Sequence, residues 1–326
     1  MAVNINDLPA LIPNFLNDFS RIETEVSKFV LGQPVVVREI LTALFCGGHV
    51  LLEGMPGVGK TWLARTLSDV FEAHFSRIPF TPDLMPADII GTYVIMETPQ
   101  GRRTFEFQRG PLFGNFVLAD QINRATPKTQ SAMLEAMETG KVSVSTEEFR
   151  MDAPFMVMAT QNPLELEGTF PLPESQLDRF FYKIKVQMPD EGCLMRIAVA
   201  STSSERIKPA RVCDSNRLAK MQEMVRAASV PTDLLALIVK LAAATNPQSP
   251  TAPGSVKQYV RYGVGPRGIQ TAVMAAKFNA ILDGRVEANR NDLQSAIAPA
   301  FRHRIFLNYE GMAELVDTDR IIADLG

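Results

Sequence analysis

The sequence predicts an α/β chain: a parallel sheet with helices on both faces, followed by a small all-helical lid. Three observations carry this reading. An unbroken phosphate-binding loop, Gly54-Met55-Pro56-Gly57-Val58-Gly59-Lys60-Thr61, stands between a short apolar run, His49 to Leu52, and a helix that opens at Trp62. Further strand-like runs alternate with helical segments as far as Val186, which is the pattern of a helix-covered parallel sheet. Beyond the hinge-like stretch Met188-Pro189-Asp190-Glu191-Gly192 the apolar spacing is helical only. A length of 326 residues accommodates two domains, placed at 1–189 for the nucleotide-binding core and 190–326 for the lid.

The elements follow in order. Residues 7–28 form an amphipathic helix, with Leu8, Leu11, Ile12, Phe15, Phe19 and Ile22 at helical spacing. Gly32 breaks the chain before a second helix, Val35 to Leu44, which leads into the phosphate-loop strand. Arg77 to Phe80 is a second strand. Ile90 to Arg109 reads as a β-hairpin, pairing Tyr93-Val94-Ile95-Met96 with Arg102 to Phe107 around a turn at Pro99-Gln100-Gly101. Phe116 to Ala119 is a buried strand ending in Asp120. Val142 to Ser145 and Phe149 to Met151 flank a second hairpin; Phe155 to Ala159 and Phe181 to Val186 supply the last two strands. Helices are then expected near 191–201, 214–229, 232–244, 266–283 and 291–303, the last capped by Asn291-Asp292, with an irregular connector at 247–254.

The loop carries definite chemistry. Glycines let consecutive N–H groups turn toward phosphate oxygens, and the following helix presents the positive end of its dipole. Lys60 supplies a cation for the terminal phosphates, and the Thr61 hydroxyl is a ligand for Mg²⁺. Gly54, Met55, Pro56, Gly57, Val58, Gly59, Lys60, Thr61 and Trp62 are the expected contacts to a nucleoside triphosphate. Asp120, at a strand tip, completes the Mg²⁺ site with Thr61. Gln121 follows where a hydrolytic site wants a carboxylate to take a proton from water. Its amide can hydrogen-bond that water without deprotonating it. This predicts tight binding with slow turnover, whether the amide was introduced to trap ATP or belongs to a naturally slow form.

The run Leu118 to Ala125 continues through Pro127-Lys128-Thr129-Gln130 to Met137. Together with Ala159-Thr160-Gln161-Asn162-Pro163, Gly168 to Glu174 and Gln176-Leu177-Asp178-Arg179-Phe180, it strongly resembles the MoxR family of AAA+ ATPases. The resemblance spans nearly the whole chain and is densest from about 30 to 190; Gln121 departs from the family's Glu. It implies a P-loop AAA+ core and lid, ATP and Mg²⁺ as ligands, and a homo-oligomeric ring, most simply a hexamer. It implies a sensor role for Asn162, an arginine-finger role for Arg179 in a neighbour's site, and a second-sensor role for Arg267 in its own or an adjacent subunit. Catalytic duties thus fall on Gln121, Asn162, Arg179 and Arg267. It further implies that Val30 to Gln33 borders the adenine and that both hairpins face a central pore, where Arg102, Arg103, Glu147 and Glu148 meet a substrate or partner. A partner with a von Willebrand factor A domain is implied as well. Read from residues alone, Asn162 is equally a turn residue before Pro163, Arg179 a partner of Asp178 or Glu174, and Arg267 a helix-opening arginine. Asn123 and Arg124 either position Gln121 or face a neighbouring subunit.

Composition narrows the partners. A formal net charge of −3 argues against nucleic acid as the main ligand and against a helicase. Cys46, Cys193 and Cys213 lack metal spacing and read as reduced, buried thiols of a cytoplasmic protein. No apolar run reaches spanning length, so an integral membrane protein is not expected. The rival to a working motor is a nucleotide-gated scaffold, in which ATP locks a ring and the work is binding.

Overall fold

A computed structural model describes residues 3–97, 103–165, 168–202 and 208–325. Helices α1 (Leu8–Phe29) and α2 (Pro34–Phe45) lead to β1 (Val50–Glu53), then α3 (Lys60–Val70) and β2 (Phe75–Pro79). A short α4 (Pro86–Ile90) precedes a hairpin of β3 (Gly91–Glu97) and β4 (Arg103–Arg109). There follow β5 (Phe116–Asp120), α5 (Pro127–Thr139), a second hairpin of β6 (Lys141–Val144) and β7 (Glu147–Arg150), β8 (Met156–Gln161), α6 (Glu174–Leu177) and β9 (Tyr182–Lys185). The turn expected at Pro99 to Gly101, and Arg102 beside it, lie outside the described residues.

The five core strands form one parallel sheet in the order β2-β5-β8-β1-β9. Side chains alternate between its faces, as the two-residue period of a strand requires. Val50, Leu52, Phe116, Leu118, Met156 and Met158 enter one apolar cluster, while Leu51, Val117, Ala119, Val157 and Ala159 enter the other. The first cluster contains residues of α1, α2 and α3; the second contains Met133, Leu134 and Met137 of α5. Burial on both faces is why β1, β5 and β8 read as continuous apolar runs, whereas β2 and β9, the outer strands, alternate.

The C-terminal part comprises α7 (Glu191–Thr202), α8 (Ser215–Ala227), α9 (Thr232–Ala244), α10 (Gly254–Tyr259), α11 (Pro266–Leu282), α12 (Arg290–Phe301), α13 (Tyr309–Ala313) and α14 (Thr318–Ala323). Helices alone were expected here. The structure adds an antiparallel ribbon of β10 (Val260–Tyr262) and β11 (Phe306–Leu307), whose strands are too short to show a period. The cap of α12 is also corrected: Asn289, not Asn291-Asp292, occupies it. Asn289 Oδ1 accepts from the Asn291 and Asp292 amides, and Asp292 accepts from the Asn289 amide in return at 2.6 Å.

Lid and core share apolar contacts. Phe45 of α2 stacks on Phe278 of α11 at 5.7 Å, with Phe15 and Phe19 of α1 tilted against both. A buried cation adds a polar tie. Arg304 donates from Nε to Asp178 Oδ1 at 2.7 Å and from Nη2 to the Phe180 carbonyl at 2.7 Å, with its side chain 3% exposed. Arg304→Met removes the donor to Asp178 Oδ1 and leaves the Phe180 carbonyl with His303 Nε2 alone, and is expected to lower unfolding free energy by about 3–5 kcal/mol, read as an earlier urea midpoint.

Ions line the seam between β9 and the last helices. Lys185 pairs with Asp317 and Asp319, and Arg302 pairs with Asp319 while donating to the Lys183 carbonyl. Burial pushes the nearby Glu39 carboxyl up to about 7, against the pull of Arg302 and with a further push from Asp319. A raised carboxyl favours the fold at low pH and loses that contribution as pH climbs from its ordinary 4.5 through about 7. Glu39→Gln is therefore expected to melt at a higher temperature than the parent at pH 8, with the difference shrinking by pH 5.

The two hairpins pack as one body. Phe107 of β4 stacks on Phe149 of β7 at 4.1 Å, and the Tyr93 hydroxyl donates to Glu147 at 2.9 Å. Glu148 is held by Lys141.

Candidate nucleotide site

The phosphate loop joins the C-terminal end of β1 to the N-terminus of α3. Gly57 and Gly59 adopt φ of 83° and 89°, the left-handed region that a side chain resists. A Cβ on either would meet no atom within 4 Å, so the loop frames an open cradle. Gly54 has the opposite reason: a Cβ there would lie 2.5 Å from the Val186 carbonyl. Lys60 Nζ curls back to donate to the Gly54 and Met55 carbonyls, the latter at 3.2 Å. Partial burial pulls the Lys60 pKa down while Asp120 raises it, which places that carboxylate within the ammonium's field.

Neighbouring segments brace the loop. Gln33 Nε2 donates to the Val58 carbonyl at 3.1 Å and to the Gln187 carbonyl at 3.4 Å, tying the loop to the chain just before the expected hinge. Trp62 donates from its indole to the Phe29 carbonyl at 3.0 Å. The segment expected to border the adenine thus sits against loop and hinge together.

The tip of β5 lies two strands away, beyond β8. Asp120 Oδ1 accepts from the Thr160 hydroxyl at 3.0 Å, and Oδ2 accepts from Arg77 at 2.6 Å. Gln121 has φ of 58° and its amide N–H donates to Thr160 Oγ1 at 2.8 Å. Its side chain accepts from Arg124 Nη1 at 3.1 Å and donates to Glu165 Oε2 at 3.4 Å. Of the two open assignments, Arg124 touches Gln121 within the subunit. Asn123 is buried; its carbonyl accepts from the Phe170 amide, and its Oδ1 has no partner. Asn162 follows β8 directly, next to the start of the phosphate loop, where Gly54 donates to the Gln161 carbonyl. Its Oδ1 accepts from the Leu164 amide at 3.2 Å, the turn contact expected of an Asn before proline.

Arg179 and Arg267 stand elsewhere. Tyr182 pairs with Val50, so Arg179 lies beyond the N-terminal end of β1, whereas the phosphate loop leaves its C-terminal end. At about 3.3 Å per residue, the strand alone separates them by roughly 13 Å. Arg179 Nη2 is 3.0 Å from Glu138 Oε2, and Arg267 binds the other oxygen of the same carboxylate. The partners first expected for Arg179 are taken: Asp178 by Arg304, Glu174 by Arg261. Glu138, Arg179 and Arg267 line a cleft of about 310 Å³ with His49 and Gln270. Arg267 therefore keeps company with Arg179, not with its own phosphate loop.

Sequence reasoning missed Arg77, Thr160, Glu165 and Glu138. Thr160 lies inside a quoted motif but was given no role there, the other three stand outside the motifs, and each matters through a contact distant in sequence. The cradle, ammonium, hydroxyl and strand-tip carboxylate together fit a nucleoside triphosphate with Mg²⁺, with Lys60 for the phosphates and Thr61 and Asp120 for the metal.

Residues 49–182 match the ATPase family associated with various cellular activities, and residues 254–325 match the AAA lid domain. Chaperone MoxR1 of Mycobacterium tuberculosis is 39% identical over 302 residues, spanning 91% of this chain and 78% of that protein. Protein MoxR of Methylorubrum extorquens is 30% identical, spanning 91% and 90%. A solved structure from Cytophaga hutchinsonii, described as a candidate ATPase, superposes with a TM-score of 0.89 at 34% identity, covering 96% of this chain and 94% of that one. No helix among the described residues is long and apolar enough to cross a membrane. With its nucleotide cradle, its parallel sheet and its helical lid, the chain belongs to the MoxR family of AAA+ ATPases.

Proposed function

We propose that this chain is a ring-forming, ATP-driven remodelling protein of chaperone type, whose hydrolysis is slowed by Gln121. The observation that carries the reading is the split of its charged groups between two poles. Lys60, Thr61 and Asp120 lie at the C-terminal end of the sheet; Arg179 and Arg267 lie at the other. A γ-phosphate held by the first set needs the second set from a neighbour, so a complete site requires two copies. On this reading both arginines act in trans across a head-to-tail interface, which closes into a ring, and the resemblance to the family makes that ring a hexamer.

Within the site, the loop amides and Lys60 bind and orient the phosphates. Thr61 and Asp120 would hold Mg²⁺, which would offset charge on the transferring phosphoryl group. Asn162 and the side chain at 121 place the water. ATP-linked motion passes through the hinge at 188–192, which makes 190–326 the moving lid. The paired hairpins engage the client. A partner with a von Willebrand factor A domain fits the chaperone name of a relative and the family pattern. Gln121 also favours a second reading, a nucleotide-gated scaffold in which assembly is the output.

Light scattering with and without ATP tests the ring, and Trp62, the single tryptophan, reports nucleotide beside the loop. ATP is expected to drive assembly and shift Trp62 fluorescence. Lys60→Ala is expected to weaken ATP binding roughly 30-fold or more, matching at least ~2 kcal/mol for a lost charge-assisted contact. A Lys60→Ala protein that binds and assembles like the parent removes the phosphate loop from the mechanism.

A further inference from the structure

We propose that Glu165 is a positioning residue for hydrolysis, acting by drawing the Arg124 guanidinium away from the side chain at position 121. The proposal rests on the hydrolytic reading of the site above. Three side chains close a ring here. Arg124 Nη1 is 3.1 Å from Gln121 Oε1, Arg124 Nε is 3.7 Å from Glu165 Oε1, and Gln121 Nε2 is 3.4 Å from Glu165 Oε2. Arg124 sits on the short turn after β5, and Glu165 on the loop after Asn162. The ring therefore links the strand tip that orders water to the loop that carries the sensor residue.

The chemistry of an arginine fixes the consequence. A guanidinium presents a planar fork and takes a carboxylate with two donors at once. With a carboxylate at 121, the catalytic form of this site, Arg124 faces two acceptors. If Glu165 is present, the fork divides between them and the 121 carboxylate keeps an oxygen free for water. If Glu165 is gone, Arg124 closes on position 121, turning it from the water and weakening it as a base. Small misplacements of a catalytic group cost up to about 10²-fold in rate without touching ground-state affinity. Glu165 touches neither phosphate nor water in this scheme; it acts through Arg124.

The test uses the full chain with Gln121→Glu as the reference, measuring steady-state kcat and KM for ATP and the Trp62 fluorescence midpoint. Adding Glu165→Ala is expected to lower kcat about 10–100-fold with KM and the fluorescence midpoint unchanged. Glu165→Asp, which keeps the charge, recovers most of that loss. Arg124→Gln added to Glu165→Ala also recovers it, because the competing fork is removed. A kcat within twofold of the reference for Glu165→Ala, a parallel loss of ATP binding, or no recovery with Arg124→Gln overturns the proposal while leaving hydrolysis intact. No gain from Gln121→Glu alone overturns the hydrolytic reading and this proposal with it.

Discussion

Gln121→Glu is expected to raise kcat for ATP by roughly 10²–10⁴-fold, the usual worth of a positioned general base, with ATP affinity unchanged. The groups that bind nucleotide are separate from the group that is altered. Lys60 sits on the loop and Asp120 is held by Thr160 and Arg77, none of which contacts the Gln121 carboxamide. The backbone of Gln121 is fixed by its N–H bond to Thr160, so exchange of amide for carboxylate leaves the chain path in place. What changes is one atom's basicity. The carboxylate loses the hydrogen bond that Gln121 Nε2 gives Glu165, and its contact with Arg124 becomes charge-assisted. Steady-state turnover with Trp62 fluorescence titrations on both proteins separates the outcomes. Faster turnover at constant affinity identifies a motor caught in its bound state. Equal turnover in the two proteins, with assembly still driven by ATP, moves the function to the scaffold reading.

The sequence was most legible where one short segment contains its whole chemical purpose. The phosphate loop needs glycine conformations, an ammonium and a helix start in consecutive positions, and all are consecutive from Gly54 to Trp62. The central strands β1, β5 and β8 were legible for the same reason, each being a short apolar run, and β9 was legible from its alternation. The ribbon of β10 and β11 was not, because its pairing joins residues about 45 apart and its strands have no room for alternation. Glu138 and Glu165 were invisible for a related reason. Nothing near Glu138 on α5 marks it as the joint partner of Arg179 and Arg267, 41 and 129 residues away (179 − 138 and 267 − 138). The motif located Arg179 and Arg267, but only the strand register placed both at the pole opposite the phosphate loop.

That placement sets the second large effect. In the Gln121→Glu protein, Arg179→Ala is expected to lower kcat by about 10³-fold or more, as loss of an arginine finger does, while each subunit still binds ATP. The sharper consequence concerns mixtures. Lys60→Ala subunits lack a working loop and keep Arg179; Arg179→Ala subunits keep the loop and lack the finger. Each is inactive alone. Mixed before ATP is added, they create interfaces where an intact loop faces an intact arginine, and turnover returns in proportion to those interfaces. Arginines acting within their own subunit give no such return, since neither parent contains both groups. The isolated chain also shows what the transition must undo. Glu138 holds Arg179 and Arg267 together, and on the trans reading proposed above both side chains have to leave or share that carboxylate to meet a neighbour's phosphate. Arg179 Nε, buried without a partner, has no bond to lose in that move. The charge developing on the transferring phosphoryl group is a stronger attractor than one half-exposed carboxylate. On that reading the release of Glu138 is coupled to the presence of ATP across the interface, which would give the proposed ring a means to fire only when a loaded neighbour is in place.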